Sequence, residues 1–154
     1  MQLWILRHAH ASGSSGSGRD IDRPLSARGQ AQARALNARL RSDSIPRGCQ
    51  VRISPAARAR QTAVLVLADL ELGDPLVDPR IWEASAGDLL EVIRDGMTAG
   101  GDVMLIGHNP GLEGLARWLT GDPIGLKPAS LVALEVDSRL LPGSARILFQ
   151  HHPG

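Results

Sequence analysis

The sequence predicts an α/β fold: a three-layer sandwich whose mostly parallel sheet carries helices on both faces and an antiparallel edge. Three observations predict it. Short apolar runs alternate with longer amphipathic stretches along the chain, as strands alternate with crossover helices. The runs Leu3 to Leu6 and Val103 to Ile106 are continuously apolar, as strands covered on both faces are. Ser54-Pro55 and Asn109-Pro110 each follow such a run, and both read as a cap and a helix-opening proline.

Taken in order, Leu3 to Leu6 is the first strand, bounded by the charge of Arg7. Ser12 to Gly18 contains only Ser and Gly and is by composition a flexible loop. It follows His8 and His10 directly, so it borders whatever they serve, either as a substrate flap or as a solvated connection. Arg28 to Arg41 places Ala33, Leu36 and Leu40 at helical spacing, which predicts an amphipathic helix with a solvated Arg face. Val51 to Ile53 is a second strand. Ser54 is expected to cap a helix over about Ala56 to Leu70, with Pro55 at its first position.

Leu76 to Trp82 reads as a short strand or extended segment, Asp88 to Met97 as a helix, and Val103 to Ile106 as a strand. A helix opened by Asn109-Pro110 runs to about Leu119 and stops near Gly121. Leu131 to Val136 and Ala145 to Phe149 are late strands joined through the Leu140 to Ser144 turn, antiparallel to each other. His151 and His152 read as a frayed tail. No repeat or linker interrupts this order, so residues 1–154 are expected to form one domain.

Composition excludes several partners. Hydrophobic residues make up 43% and charged residues 21%, too apolar a balance for a disordered chain. The net charge is +1, from 17 basic and 16 acidic side chains, which lacks the basic excess that nucleic acid or an anionic membrane selects. Neither is expected as a partner. Cys49 is the only cysteine, which suits a reducing compartment. The first apolar run is too short for a signal sequence, and no stretch approaches the roughly 18 apolar residues of a membrane helix. The cytoplasm is the expected location.

In open α/β sheets, ligands bind outside the carboxyl ends of the strands. Arg7 and His8 end the first strand, Arg58 starts the helix after the second, Glu83 follows the third, and His108 ends the fourth. Five phosphate-competent side chains are therefore expected at one edge of the sheet. Each alone has a plainer reading: Arg7 and His8 as a pair bonded to nearby carboxylates, Arg58 as an exposed helix residue, His108 as a satisfied core histidine, Glu83 as a loop acid. Arg58 stands in a first helical turn, where the dipole already favours an anion, and its planar guanidinium can grip two phosphate oxygens.

Four motifs carry a resemblance. Leu6-Arg7-His8-Ala9 resembles the Arg-His-Gly signature of the histidine phosphatase (phosphoglycerate-mutase-like) superfamily, in the Arg-His-Ala form of its small bacterial branch. Arg23-Pro24-Leu25-Ser26-Ala27-Arg28-Gly29 resembles the Arg-Pro-Leu-Thr-x-x-Gly segment of that branch. Ser54-Pro55-Ala56-Ala57-Arg58-Ala59-Arg60-Gln61-Thr62 is similar to its Ser-Pro-x-x-Arg-Ala-x-Gln-Thr helix, and Ile106-Gly107-His108-Asn109-Pro110 to its second-histidine motif. Order and spacing match over nearly the whole chain. The compact length is most similar to SixA-type phosphohistidine phosphatases.

The resemblance implies that His8 is the nucleophile that becomes phosphorylated, with Arg7, Arg58 and His108 binding the phosphoryl oxygens. Glu83 falls where larger relatives keep a proton donor, on which the SixA type depends less. His10 has no assigned role. The implied activity is a metal-independent phosphatase with no cofactor, acting on a phosphorylated protein, phosphohistidine favoured, or on a small phosphorylated molecule. A non-catalytic module that holds phosphorylated ligands is the reading from another class. His8-Ala9-His10 is also an H-x-H pair, but barrels using that spacing need about 250 residues, and Arg7 and Arg58 would repel a metal ion.

Overall fold

The strand β1 (Gln2–Arg7) sends Leu3 and Ile5 to one face of a sheet and Trp4 and Leu6 to the other, and all four are buried. The strand β4 (Val103–Gly107) divides in the same way, Val103 and Leu105 against Met104 and Ile106. A strand buried on both sides needs a layer on each side, and the helices supply them. The helices α1 (Ala27–Asp43) and α2 (Ala57–Val66) cover the Trp4 face through Leu36, Leu40, Ala63 and Val66. On the Leu3 face, α3 (Ala86–Thr98) and α4 (Gly111–Thr120) pack Leu89, Ile93, Leu115 and Leu119. This computed structural model describes residues 1–43, 46–98 and 100–154.

With β2 (Gln50–Ile53), β3 (Leu76–Val77), β5 (Leu131–Glu135) and β6 (Arg146–His151), the sheet has the order β3-β2-β4-β1-β5-β6. The pairs β1–β4, β4–β2 and β2–β3 are parallel, while β5 is antiparallel to both neighbours. One strand alone therefore runs against the rest. The expected three-layer α/β architecture with its antiparallel edge is the observed one. Among the described residues no helix is long and apolar enough to cross a membrane.

Three local expectations need correction. The helix α2 is shorter than its apolar pattern, because a buried side chain of α1 takes its final carbonyls. Asn37 Nδ2 donates to Val66 O and Ala68 O, both at 2.8 Å, and Asp69 then turns into the left-handed region at φ 63°. Ser54 is not the cap of α2; Ala56 holds that position without a side-chain bond. His151 is no frayed end, since β6 runs through it and pairs it with Leu131.

The Ser/Gly loop is tied rather than free. Ser12 N–H donates to Pro24 O at 2.8 Å, Ser15 Oγ to Arg19 O at 2.8 Å, and Ser17 Oγ to Asp22 Oδ2 at 2.6 Å. The register of the central strands then places the two signature histidines. Arg7 pairs with Gly107 across parallel strands, so His8 and His108 leave the sheet side by side.

Candidate active site

His8 follows β1 and is buried, its backbone N–H donating to Gly107 O at 3.0 Å. Its Nδ1 lies 2.7 Å from Ala9 O. A carbonyl oxygen only accepts, so Nδ1 carries the hydrogen and Nε2 of the neutral ring keeps a free lone pair. Burial pushes the His8 pKa down to about 4, with Arg58, Arg7 and Arg23 adding to the fall against the Ala9 bond. The flanking cations lower it too, but desolvation is the larger cause. Thr62, also buried, fixes the turn beneath: it accepts from Ala9 N–H at 3.0 Å and donates to Arg58 O at 2.7 Å.

His108 follows β4, and its ring centroid lies 5.0 Å from that of His8. Burial holds its pKa near 3, with His8, Arg58 and Arg7 contributing and Asp20 opposing. At neutral pH both imidazoles are uncharged. His108 Nε2 sits 2.7 Å from the hydroxyl of Ser54.

Arg58, in the first turn of α2, is almost wholly buried. Its guanidinium donates through Nη1 to Asp20 O at 2.8 Å and through Nη2 to Asp20 Oδ2 at 3.2 Å. It also lies over the ring of Trp82 at 5.3 Å, and Trp82 meets His108 edge-on at 5.2 Å. The indole thereby fixes the facing sides of both groups through cation–π and aromatic contact. The Asp20 carboxyl is held below the usual carboxylate range by its bond to Arg23 and by Arg58.

Arg58, His108, Asp20, Trp82 and Glu83 line one cleft of about 450 Å³. Glu83 stands exposed on its rim in a left-handed conformation at φ 54°, which a non-glycine residue adopts only when its surroundings enforce it. Arg7 departs somewhat from the expected convergence. Its charge reaches both imidazoles, but Nη1 is tied to Leu126 O at 2.9 Å and the side chain lines an adjacent cleft with Lys127 and His152.

Five buried side-chain nitrogens have no hydrogen-bond partner among the described residues, and three of them are Arg7 Nε, Arg58 Nε and His108 Nδ1. Buried polar atoms are paired almost everywhere in proteins, so these three are donors that an anion in the cleft could meet. The set offers one ring nitrogen able to attack and several donors able to hold oxygen.

His10 turns to another task. Its Nδ1 lies 2.7 Å from Ser26 Oγ, its N–H donates to Gln32 at 3.0 Å, and a Cβ on Gly29 would strike its carbonyl. It fastens the start of α1 against the strand end. Among the described residues, no group of three or more His, Cys, Asp or Glu side chains is placed to hold a metal ion.

Sequence reasoning missed Asp20, Trp82 and Thr62. Thr62 had a signal, lying on the α2 face that carries Arg58. Asp20 had none, as it meets Arg58 from 38 positions away.

The family model of the histidine phosphatase superfamily (branch 1) matches residues 3–99. An uncharacterized protein of Picosynechococcus is 31% identical over 96% of this chain and 88% of its own length. Among solved structures, the protein histidine phosphatase SixA complexed with tungstate gives a TM-score of 0.84 at 24% identity, covering 97% of this chain and 96% of SixA. The α-ribazole phosphatase of Shigella flexneri gives 0.70 at 19% identity, covering 96% of this chain and 95% of its own.

Proposed function

This chain belongs to the histidine phosphatase superfamily, and we propose that it hydrolyses phosphohistidine on a protein substrate through a phospho-His8 intermediate. The observation that carries the reading is the state of His8: a buried, neutral ring with Nδ1 bonded to Ala9 O and Nε2 free. In the first step the Nε2 lone pair attacks phosphorus in line. The bond to the leaving nitrogen breaks, and that nitrogen keeps the electron pair and takes a proton. Water then attacks the phosphorus on His8, the P–N bond breaks, and phosphate leaves with the ring restored.

Arg7, Arg58 and His108 would hold the equatorial oxygens during both steps. Phosphoryl transfer is chiefly positioning and electrostatic stabilisation, and fixed guanidinium and imidazole donors are suited to it. Glu83 would serve as proton donor for poorer leaving groups. It stands at the open rim, so the cleft offers no enclosed acid to an alkoxide. A phosphohistidine nitrogen protonates readily and has little need of one. That chemistry favours phosphohistidine over a small phosphomonoester.

The test compares a phosphohistidine-bearing phosphotransfer protein with a panel of small phosphomonoesters, in EDTA throughout. The expected result is faster hydrolysis of the phosphoprotein, undiminished by the chelator. Glu83→Gln should slow alkyl phosphates more than phosphohistidine. A preference for phosphomonoesters, or a need for added metal, would contradict the proposal.

A further inference from the structure

Ser54 follows β2 and has no exposed surface. Its own N–H donates to Ile106 O at 3.0 Å, so the sheet sets it beside the end of β4. A serine hydroxyl has one hydrogen to give and two lone pairs to receive with. The Ala56 N–H donates to Oγ at 3.2 Å, which satisfies the receiving side. The other contact of Oγ is His108 Nε2 at 2.7 Å.

These two contacts decide the direction of the second bond. A fully buried hydroxyl gives its hydrogen to an acceptor in reach, because leaving it unpaired forfeits a bond that water would have made. Among the described residues that acceptor is His108 Nε2. The ring is neutral at pH 7, so its one hydrogen lies on the other nitrogen. His108 Nδ1 is buried and has no partner among the described residues.

We propose that Ser54 is a positioning residue: by donating to Nε2 it holds His108 in the Nδ1–H tautomer, which keeps Nδ1–H as a donor for a phosphoryl oxygen beside His8. The use of that donor rests on the phosphatase reading; the tautomer does not. Ser54 touches neither the reacting ring nor the substrate in this scheme. It acts through His108 alone. The hydroxyl that local sequence offers as a helix cap is thus a determinant of which end of an imidazole faces the chemistry.

The experiment reads the tautomer directly, by NMR of the full chain labelled with ¹⁵N-histidine near neutral pH. The His108 signals are those lost in His108→Asn. The expected wild-type spectrum has the hydrogen on Nδ1. Ser54→Ala should move it towards Nε2, and Ser54→Thr, which keeps the hydroxyl, should not. In turnover, Ser54→Ala should lower kcat on the order of tenfold with little change in KM, less than outright loss of a donor because some rings still present Nδ1–H. Ser54→Thr should restore most of the rate.

Wild-type His108 with its hydrogen on Nε2 overturns the proposal, even where Ser54→Ala does not fold. So does a Ser54→Ala protein whose His108 shifts and kcat both match wild type. A wild-type Nδ1–H spectrum from a protein that hydrolyses no phosphorylated compound would instead overturn the phosphatase reading.

Discussion

The ends of β1 and β4 carry histidines alike in depressed basicity, yet tied by opposite nitrogens. At the end of β1, Ala9 O receives Nδ1–H of His8 and leaves Nε2 open. At the end of β4, Ser54 holds Nε2 of His108 and leaves Nδ1 without a partner among the described residues. The two rings lie 5.0 Å apart, so both would meet one bound group. One presents a lone pair and the other an N–H. Identity and depressed basicity do not separate a nucleophile from a donor here; the second contact of each ring does.

The comparison breaks most visibly on deletion. His8→Ala should reduce phosphatase turnover to background, because no other neutral ring nitrogen stands open at the site. His108→Ala removes a donor and leaves the attack in place, so kcat should fall by roughly 10²–10³. Steady-state kinetics on the two variants decides this. Equal abolition would mean that both rings belong to one nucleophilic unit, and a His8→Ala enzyme more active than His108→Ala would exchange the roles.

A smaller effect sharpens the comparison through pH. Histidine in an unfolded chain takes up its proton near pH ~6.5, whereas folded His8 does so only near 4 and His108 near 3. Between these values the unfolded state binds more protons, so stability rises with pH through the window. It is undiminished by these rings above about pH 6.5 and declines as pH falls from there towards 4. Urea midpoints should fall across that range and fall less in His8→Asn, which has no ring to titrate. The nucleophile of the free enzyme should stay mostly neutral until pH nears 4, placing its acid limb in kcat/KM there. An acid limb near 6.5 would mean that His8 is better solvated than its burial implies.

Much of this was legible in the chain because strands and strand ends are local. Continuous apolar runs announced β1 and β4 and put His8 and His108 at strand ends on one edge; their adjacency comes from the β1–β4 pairing that the fold adds. Features made by distant partners were not legible. Apolar residues continue to Leu70, but α2 stops at Val66 because Asn37, on another helix, takes its carbonyls. Ser54 in a cap position looked like a cap, and only the fold shows His108 against it. Asp20 carried no signal in the sequence, and only the folded chain brings its carboxylate to Arg58. His10 had no assigned role in the sequence, and the fold gives it one, since Ser26 claims its ring.

The most direct test of the central claim is where the phosphoryl group rests during turnover. A rapid quench that avoids acid, followed by proteolysis and mass spectrometry, should find an acid-labile, base-stable phosphate on the peptide between Arg7 and Arg19. Fragmentation should assign it to His8 rather than His10, and the adduct should vanish in His8→Ala. A phosphoryl group on His10 or His108, or undiminished turnover without His8, would contradict the account.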